Sequence, residues 1–261
     1  MEIAILANDS VYKSREKGLM AEHGFAAAVG EVLLDTGQTS IAATNARTMG
    51  IDQDFETIVL SHGHYDHTGG LLSFLDPAPD VYAHPDAFDP KFDEDDGTFI
   101  GIPHNRDRIE AEANLHFHRD PVEVAPEVYA LGEIPREYPD NPTGVTDRDG
   151  SREPDPILDD QALAIATETG TALVCGCCHA GLRNTIEYAE EVTGEQVTVV
   201  IGGTHLKDLE REEVEEIADW LAGRLDLIAP CHCSGFEAQH VLSSTMPDAF
   251  RLVGVGDRIQ V

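Results

Sequence analysis

Lysine is scarce in this chain. Of 261 residues only four are Lys (Lys13, Lys17, Lys91 and Lys207), and Lys and Arg together number 17 against 49 Asp and Glu, a formal net charge of −32. A surface so short of cations repels phosphate backbones, so general nucleic-acid binding is not expected. No apolar run approaches the ~20 residues needed to span a bilayer, and no membrane association is expected. The segment Met1-Glu2-Ile3-Ala4-Ile5-Leu6-Ala7 lacks basic residues and reads as a first strand, not a secretory signal. Cysteine is absent from residues 1–174. The 5 cysteines crowd into Cys175, Cys177, Cys178 and Cys231, Cys233, an odd count that argues against a secreted disulfide framework and fits reduced thiols in a cytoplasm. No Gly-x-Ser-x-Gly elbow is present, so a serine nucleophile of that kind is excluded.

What remains is enough for a folded domain. Hydrophobic residues make up 41% of the chain and recur along most of it, which excludes wholesale disorder. The acid excess has two readings, an ordinary solvated acidic face or, with lysine so scarce, adaptation to a salt-rich cytoplasm, that of a halophilic archaeon. At ~1 M salt the Debye length shrinks to roughly 3 Å and self-repulsion is screened.

Strand and helix signals alternate. Residues 2–7 read as a strand, 25–35 as a hairpin about Gly30, and 40–49 as a helix capped by Thr39 or Ser40 and ended by Gly50. Short strands are expected at 56–60 and 81–84. A second block opens near Leu158. It holds a hairpin of 162–167 and 171–175 across Thr169-Gly170, a helix over 182–192, a buried strand at 197–201, a helix over 210–224, a strand at 227–229 and a helix over 236–244. In the helix over 210–224, Val214, Ile217, Ala218, Leu221 and Leu225 fall on one stripe. Residues 85–120, with the acidic run Asp93-Glu94-Asp95-Asp96, and the Pro-, Asp- and Arg-rich 135–156 read as long loops or an insertion over one face of a single domain spanning 1–261. Loops of that length in a compact domain often serve as lids.

The chemistry concentrates in Ser61-His62-Gly63-His64-Tyr65-Asp66-His67-Thr68-Gly69-Gly70, directly after a strand. His62 and His64 are two apart, so in extended backbone they project the same way. Asp66 and His67 follow as the chain turns, which lets them reach a second, neighbouring ion. Gly63, Gly69 and Gly70 let the backbone bend around the cluster. Imidazoles with one carboxylate suit Zn, Fe or Mn better than Ca or Mg.

This His-x-His-x-Asp-His pattern resembles the signature of the metallo-β-lactamase superfamily. Asp35-Thr36-Gly37 is similar to the family's upstream Asp-Thr-Gly. Gly176-Cys177-Cys178-His179-Ala180-Gly181 and Pro230-Cys231-His232-Cys233-Ser234-Gly235 each set a His at a strand end. More narrowly, the chain resembles a subgroup of metal-dependent hydrolases related to the archaeal 7,8-dihydropterin-6-methyl-4-(β-D-ribofuranosyl)-aminobenzene-5'-phosphate synthase. The residues behind that are the His motif, Gly132-Glu133-Ile134-Pro135-Arg136, Asp159-Asp160-Gln161-Ala162-Leu163, Cys177 to Gly181, and Gly202-Gly203-Thr204-His205-Leu206.

The resemblance implies an α/β (α+β) fold, a four-layer αββα sandwich with a two-metal site at one edge of the sheets. It assigns His62, His64 and His179 to a first metal, and Asp66, His67 and His232 to a second. Family members carry a bridging Asp in a Gly-Asp where this chain has Gly176-Cys177. Either Cys177 or Cys178 supplies a thiolate, which would favour zinc, or the bridge is absent and one site binds weakly.

Other residues are read with less support from any motif. His205 either faces the metals or hydrogen-bonds a ligand. His84, before Pro85, either lines the pocket or is structural. Asp35 and Asp160 read as carboxylates that hold a ligand or its loop by hydrogen bonds. Arg136 and Arg183 are among the few cations able to hold an anionic substrate group. His104, His116 and His118 read as surface residues, and His23 and His240 belong to no constellation.

Two ions held ~3.5–4 Å apart share a water and lower its pKa from 15.7 toward ~7. The expected activity is hydrolysis of a small ester, phosphoester or amide, anionic substrates included, by a metal-bound hydroxide that Asp66 orients. The alternative is a transferase like the subgroup's synthase, which joins a pterin to a phosphoribosyl compound and releases pyrophosphate. A flavodiiron-type enzyme would carry Glu at position 64, and a non-catalytic metal module is the remaining reading. The sequence does not fix an oligomeric state.

Overall fold

The computed structural model of the chain describes residues 1–12, 16–148 and 150–261; Lys13 lies outside them. The chain runs through β1 (Glu2–Ala7), β2 (Ala26–Val29), β3 (Val32–Leu34), α1 (Ile41–Thr48), β4 (Thr57–Val59), α2 (Tyr65–Thr68), β5 (Asp80–Ala83), β6 (Lys91–Phe92), α3 (Arg106–Glu112) and β7 (Asn114–Phe117). It continues with β8 (Val122–Ala125), β9 (Val128–Ala130), β10 (Val145–Arg148), β11 (Ser151–Pro154), β12 (Ala162–Thr167), β13 (Gly170–Cys175) and α4 (Leu182–Thr193). Last come β14 (Val197–Gly203), α5 (Arg211–Leu221), β15 (Leu227–Cys231), α6 (Phe236–Thr245) and β16 (Arg258–Gln260).

Two large sheets form. One has the order β16-β1-β2-β3-β4-β5-β7 and the other β15-β14-β13-β12-β9-β8. Alternation along each strand decides which core a side chain joins. In β1, Ile3 and Ile5 enter the core between the sheets, while Ala4 and Leu6 pack outward with Ala42, Ala43 and Ala46 of α1. In β13, Ala172 and Val174 face the first sheet, while Leu173 and Cys175 pack outward with Leu182 and Ile186 of α4 and Val214 and Ala218 of α5. The result is the four-layer αββα sandwich that the sequence resemblance implies. Among the described residues no helix is long and apolar enough to cross a membrane.

Most expected elements form within a residue or two of their predicted bounds. The helix over 210–224 is the main shortening. It ends at Leu221, and Leu225 reaches the same core from beyond it. The N-cap oxygen of α1 is that of Thr39, which accepts from Ile41 N–H at 3.2 Å; Ser40 makes no side-chain cap.

The two poor regions need correction, because neither is simply a long loop. Residues 85–120 contain α3 and β7, and β7 extends the first sheet beside β5. Residues 135–156 contain the hairpin β10–β11, which pairs with β6 in a separate three-stranded sheet. β7 and β11 lie at sheet edges with their side chains largely exposed, and β10, between β11 and β6, has a single apolar residue, Val145, so none carries an apolar alternation to read.

A candidate metal centre at the carboxyl ends of the strands

β3 and β4 are parallel neighbours, as are β13, β14 and β15. The chain therefore leaves them side by side, at Asp35, Ser61, Gly176, Thr204 and His232. Loops beyond the carboxyl ends of such strands are where α/β folds gather functional groups.

Asp35 organises the first half of the cluster. Its Oδ1 accepts from Ser61 N–H at 2.7 Å and its Oδ2 from the Ser61 hydroxyl at 2.7 Å. The same Oδ2 lies 2.7 Å from His67 Nδ1. Because the Ser61 hydroxyl donates to Asp35, it accepts from His62 Nδ1, 2.9 Å away. Asp35 thus fixes His67 directly and His62 through Ser61, leaving both Nε2 atoms for the cluster. This carboxylate holds the two rings by hydrogen bonds and stays outside the cluster that they form. The passage of β13 beside the pair requires glycine, since a Cβ on Gly176 would stand 2.1 Å from Ser61 Oγ and 2.7 Å from Asp35 Oδ2.

The remaining rings close around a sulfur. His62 Nε2 lies 2.9 Å from His64 Nδ1, and His67 Nε2 lies 3.3 Å from His232 Nε2 and 3.3 Å from Cys177 Sγ. Donor atoms of His62, Cys177 and His179 all fall within 4.8 Å of one another, and so do those of His67, Cys177 and His232. Cys177 is common to both triads, at the junction where the resemblance expects a bridging carboxylate. Cys178 is not part of the cluster. It takes a left-handed backbone (φ +64) and turns its Sγ to Thr185 Oγ1, 3.2 Å away in the helix-side core.

Asp66 stands against the second triad, its Oδ2 3.4 Å from His232 Nε2 and 3.6 Å from His67 Nε2. Burial alone would raise its pKa, but the imidazoles of His67 and His232 outweigh that and hold it well below the carboxylate range. Burial, with the neighbouring imidazoles, pushes His62 and His179 far below the ordinary value, and burial takes His64 down to about 4. These rings are neutral and offer lone pairs. Burial also opposes charge on His232, yet Cys233, Asp66 and Asp9 raise it to about 10. The Nε2 atoms of His64 and His179 are buried without a hydrogen-bond partner. An unsatisfied buried polar group costs about 1–3 kcal/mol, a cost that a bound cation would remove. Neutral imidazoles, a thiol and an ionised carboxylate fit divalent transition metals.

The other predicted residues divide. His205 joins the cluster, its ring 4.2 Å from that of His179. His84 does not line it. Its Nε2 lies 2.8 Å from Arg119 Nη1 and 3.2 Å from Glu133 Oε2, and its Nδ1 accepts from Asp86 N–H, so its role is structural. Arg136 is engaged inside the fold, donating to Asp140 and to the carbonyls of Pro156 and Ile157. Arg183 stacks on Tyr138, 3.6 Å from the ring centroid. Neither arginine lines the cleft over the cluster, so neither is placed to hold a substrate there. That cleft, of about 180 Å³, is walled by Asp93, Ile100 and Thr143 from the two poor regions and by Lys207, His23 and Tyr65. The cation at its mouth is Lys207.

Four groups escaped the sequence reading: His23, Asp9, Asn8 and Cys233. His23, which belongs to no motif, sits over the second triad, with Nε2 3.3 Å from Asp66 Oδ2 and Nδ1 3.3 Å from Asp9 Oδ1. Asn8 Oδ1 accepts from His232 N–H at 2.8 Å. Cys233 lines the cleft. The available signal was topological: Asn8 and Asp9 directly follow β1, whose last residue pairs with Ala26, next to Phe25.

Asp160 fixes the turn that presents His179, its Oδ2 accepting from Ala180 N–H at 2.8 Å. Burial pushes this carboxyl up to about 7, against the backbone N–H groups that favour its ionised form. A carboxyl whose folded pKa is raised stabilises the fold below its ordinary value of 3.8 and loses that contribution as pH rises through about 7. Asp160→Asn keeps an oxygen for Ala180 and removes the titration. Its melting temperature relative to wild type should rise by a few degrees, roughly, between pH 5 and pH 8. Parallel melting profiles across that range would overturn the assignment.

The family model of the metallo-beta-lactamase superfamily matches residues 30–177. The chain belongs to that superfamily. It is 32% identical over 251 residues to an uncharacterized protein of Methanocaldococcus jannaschii, covering 92% of this chain and 93% of the relative. It is 30% identical over 224 residues to the 7,8-dihydropterin-6-methyl-4-(beta-D-ribofuranosyl)-aminobenzene-5'-phosphate synthase of the same organism, covering 80% of this chain and 76% of the relative. A solved structure of a metal-dependent hydrolase of the beta-lactamase superfamily superposes with a TM-score of 0.90 at 29% identity, covering 100% of this chain and 99% of that one.

Proposed function

We propose that the protein is a metal-dependent hydrolase that uses two divalent ions, zinc by preference, on a small ester, phosphoester or amide. The observation that carries this reading is the pair of buried donor triads sharing Cys177. His62, His64 and His179 would hold one ion and His67, His232 and Asp66 the other. Bound ions supply Lewis acidity toward a carbonyl or phosphoryl oxygen and acidify a water. The protein's own groups do the rest. Asp66 stays ionised and is positioned to take a proton from the nucleophile. Asp35 and Ser61 keep His62 and His67 in one orientation. The thiolate in place of a carboxylate favours zinc over iron or manganese. The test is elemental analysis of the purified protein together with a panel of carboxylic esters, phosphoesters and amides; two zinc ions per chain with turnover on one class is the expected result.

A second reading has its own support in the 30% identity to the dihydropterin-linked synthase. On that reading the same centre serves a transferase. Pyrophosphate release from a pterin diphosphate, with no hydrolysis of simple esters, would favour it over the first.

The surroundings point to an anionic small molecule handled in the cytoplasm of a salt-adapted cell, with neither nucleic acid nor membrane as partner. A net charge of −32 surrounds a cleft whose mouth carries Lys207. Raising salt from ~0.1 M to ~1 M shortens the Debye length from about 10 to about 3 Å and screens the field an anion must cross. The KM for an anionic substrate should therefore fall several-fold over that range, and that for a neutral analogue should stay level. Steady-state kinetics on the pair decides it, and a flat or rising KM for the anion counts against it.

A further inference from the structure

Cys233 and His205 belong to neither triad, yet they meet at the third parallel strand end. β13, β14 and β15 deliver Cys177, His205 and Cys233 to one place, and donor atoms of the three lie within 4.8 Å of one another. All three are buried, with exposures of 4%, 7% and 4% in that order. The backbone makes room for the sulfur: a Cβ on Gly203 would stand 2.8 Å from Cys233 Sγ. His205 takes a left-handed backbone (φ +46), and its N–H donates to Cys233 Sγ at 3.3 Å. Its ring Nδ1 is buried with no hydrogen-bond partner, while Nε2 lies 3.6 Å from Asp208 Oδ2. A carboxylate on one ring nitrogen, with the other left free, is how ligand imidazoles are commonly oriented.

We propose that Cys233, His205 and Cys177 form a third cation position, one that takes a single thiophilic ion of the zinc or cadmium class. Two sulfurs and an imidazole select soft ions over hard ones. His205 Nδ1 is the nitrogen free to bind. A thiolate sulfur carries three lone pairs, so Cys177 serves as the shared corner of all three positions. His205, Cys177 and Cys233 all line the cleft, which gives the ion a way in. The position depends on the two-metal reading only through that shared sulfur.

The test is cadmium binding by the full chain, stripped of metal and kept reduced under anaerobic conditions. Bound cadmium is counted by elemental analysis after equilibrium dialysis, and thiolate ligation is read from the ultraviolet sulfur-to-cadmium charge-transfer band. Wild type should bind three ions per chain. Cys233→Ser and, separately, His205→Ala should each bind two, with native circular dichroism. Cys233→Ser should also lose part of the charge-transfer band. Should Cys233→Ser not fold, His205→Ala decides alone. Variants of Cys233 and His205 that bind as many ions as wild type, whatever the wild-type count, overturn the proposal. His62→Ala separates the two ideas. If it binds as many ions as wild type while Cys233→Ser loses one, the two-metal reading fails and the thiophilic position stands.

Discussion

Dialysis against a chelator should reduce turnover to background, and added zinc should restore it. Asp66→Ala should cost about 10²–10⁴ in kcat with metal present, the usual range for a positioned group that handles a proton. The reasoning is geometric. The cleft's convergent groups are imidazoles, the carboxylates of Asp66 and Asp93, Lys207 and two buried sulfurs; the Cys177 thiol lies 3.3 Å from His67 Nε2, but burial pushes it well above its ordinary pKa, so it is held as a thiol. Neutral His62, His64 and His179 are poor bases, because burial holds their pKa values low. Among the described residues the Asp66 side chain makes no hydrogen bond to backbone, so its loss should leave the circular dichroism spectrum unchanged. Turnover in protein shown by elemental analysis to be metal-free would defeat the hydrolytic proposal outright.

How much of this was legible in the sequence follows from where each signal resides. His62, His64, Asp66 and His67 lie within one short segment after a strand, so spacing alone groups them. Asp35, His179 and His232 are distant in sequence but sit at strand ends, and a resemblance to a family can place strand ends in space. The choice between Cys177 and Cys178 was not readable. It depends on the left-handed backbone at Cys178, which sends one side chain into the core and its neighbour into the site. His23 and Asp9 were missed because antiparallel β1 and β2 bring their connecting segment over the site, and nothing local marks it. Arg136 and Arg183 were selected for charge alone. Their partners, carbonyl oxygens in one case and an aromatic ring in the other, exist only in the folded chain. The layered architecture was easier. Strand alternation and helix stripes record it in the longer buried elements, while α3 and the short strands β6 to β11 and β16 left no record that was read.

Lys91 shows what composition conceals, and its removal should be among the most destabilising single changes in the molecule. In the sequence it is one of four lysines. In the fold its side chain is 2% exposed, with Nζ 2.7 Å from Asp155 Oδ2 and 2.9 Å from Asp159 Oδ1. Asp159 Oδ2 in turn accepts from Gly63 N–H at 2.7 Å, inside the His-x-His turn. The pair therefore ties the small sheet of β6, β10 and β11 to the candidate metal centre. Burial would push Asp159 up, but the Lys91 ammonium and the Gly63 N–H outweigh it and hold the carboxyl below its usual range. Lys91→Met keeps the volume and leaves buried carboxylates without their counter-charge. Breaking a buried pair from one side costs about 3–5 kcal/mol, here roughly a 10 °C drop in melting temperature. The sign with pH follows. A carboxyl with a lowered folded pKa stabilises the fold above its unfolded value and loses that contribution as pH falls through the folded one. In Lys91→Met that lowering is gone, so Asp159 takes a proton more readily and the gap to wild type should narrow as pH drops from 8 toward 5. Asp159→Asn in the same chain should recover part of the loss at pH 8. A deficit that is constant with pH and untouched by the second change would mean that Lys91 acts through packing, not charge.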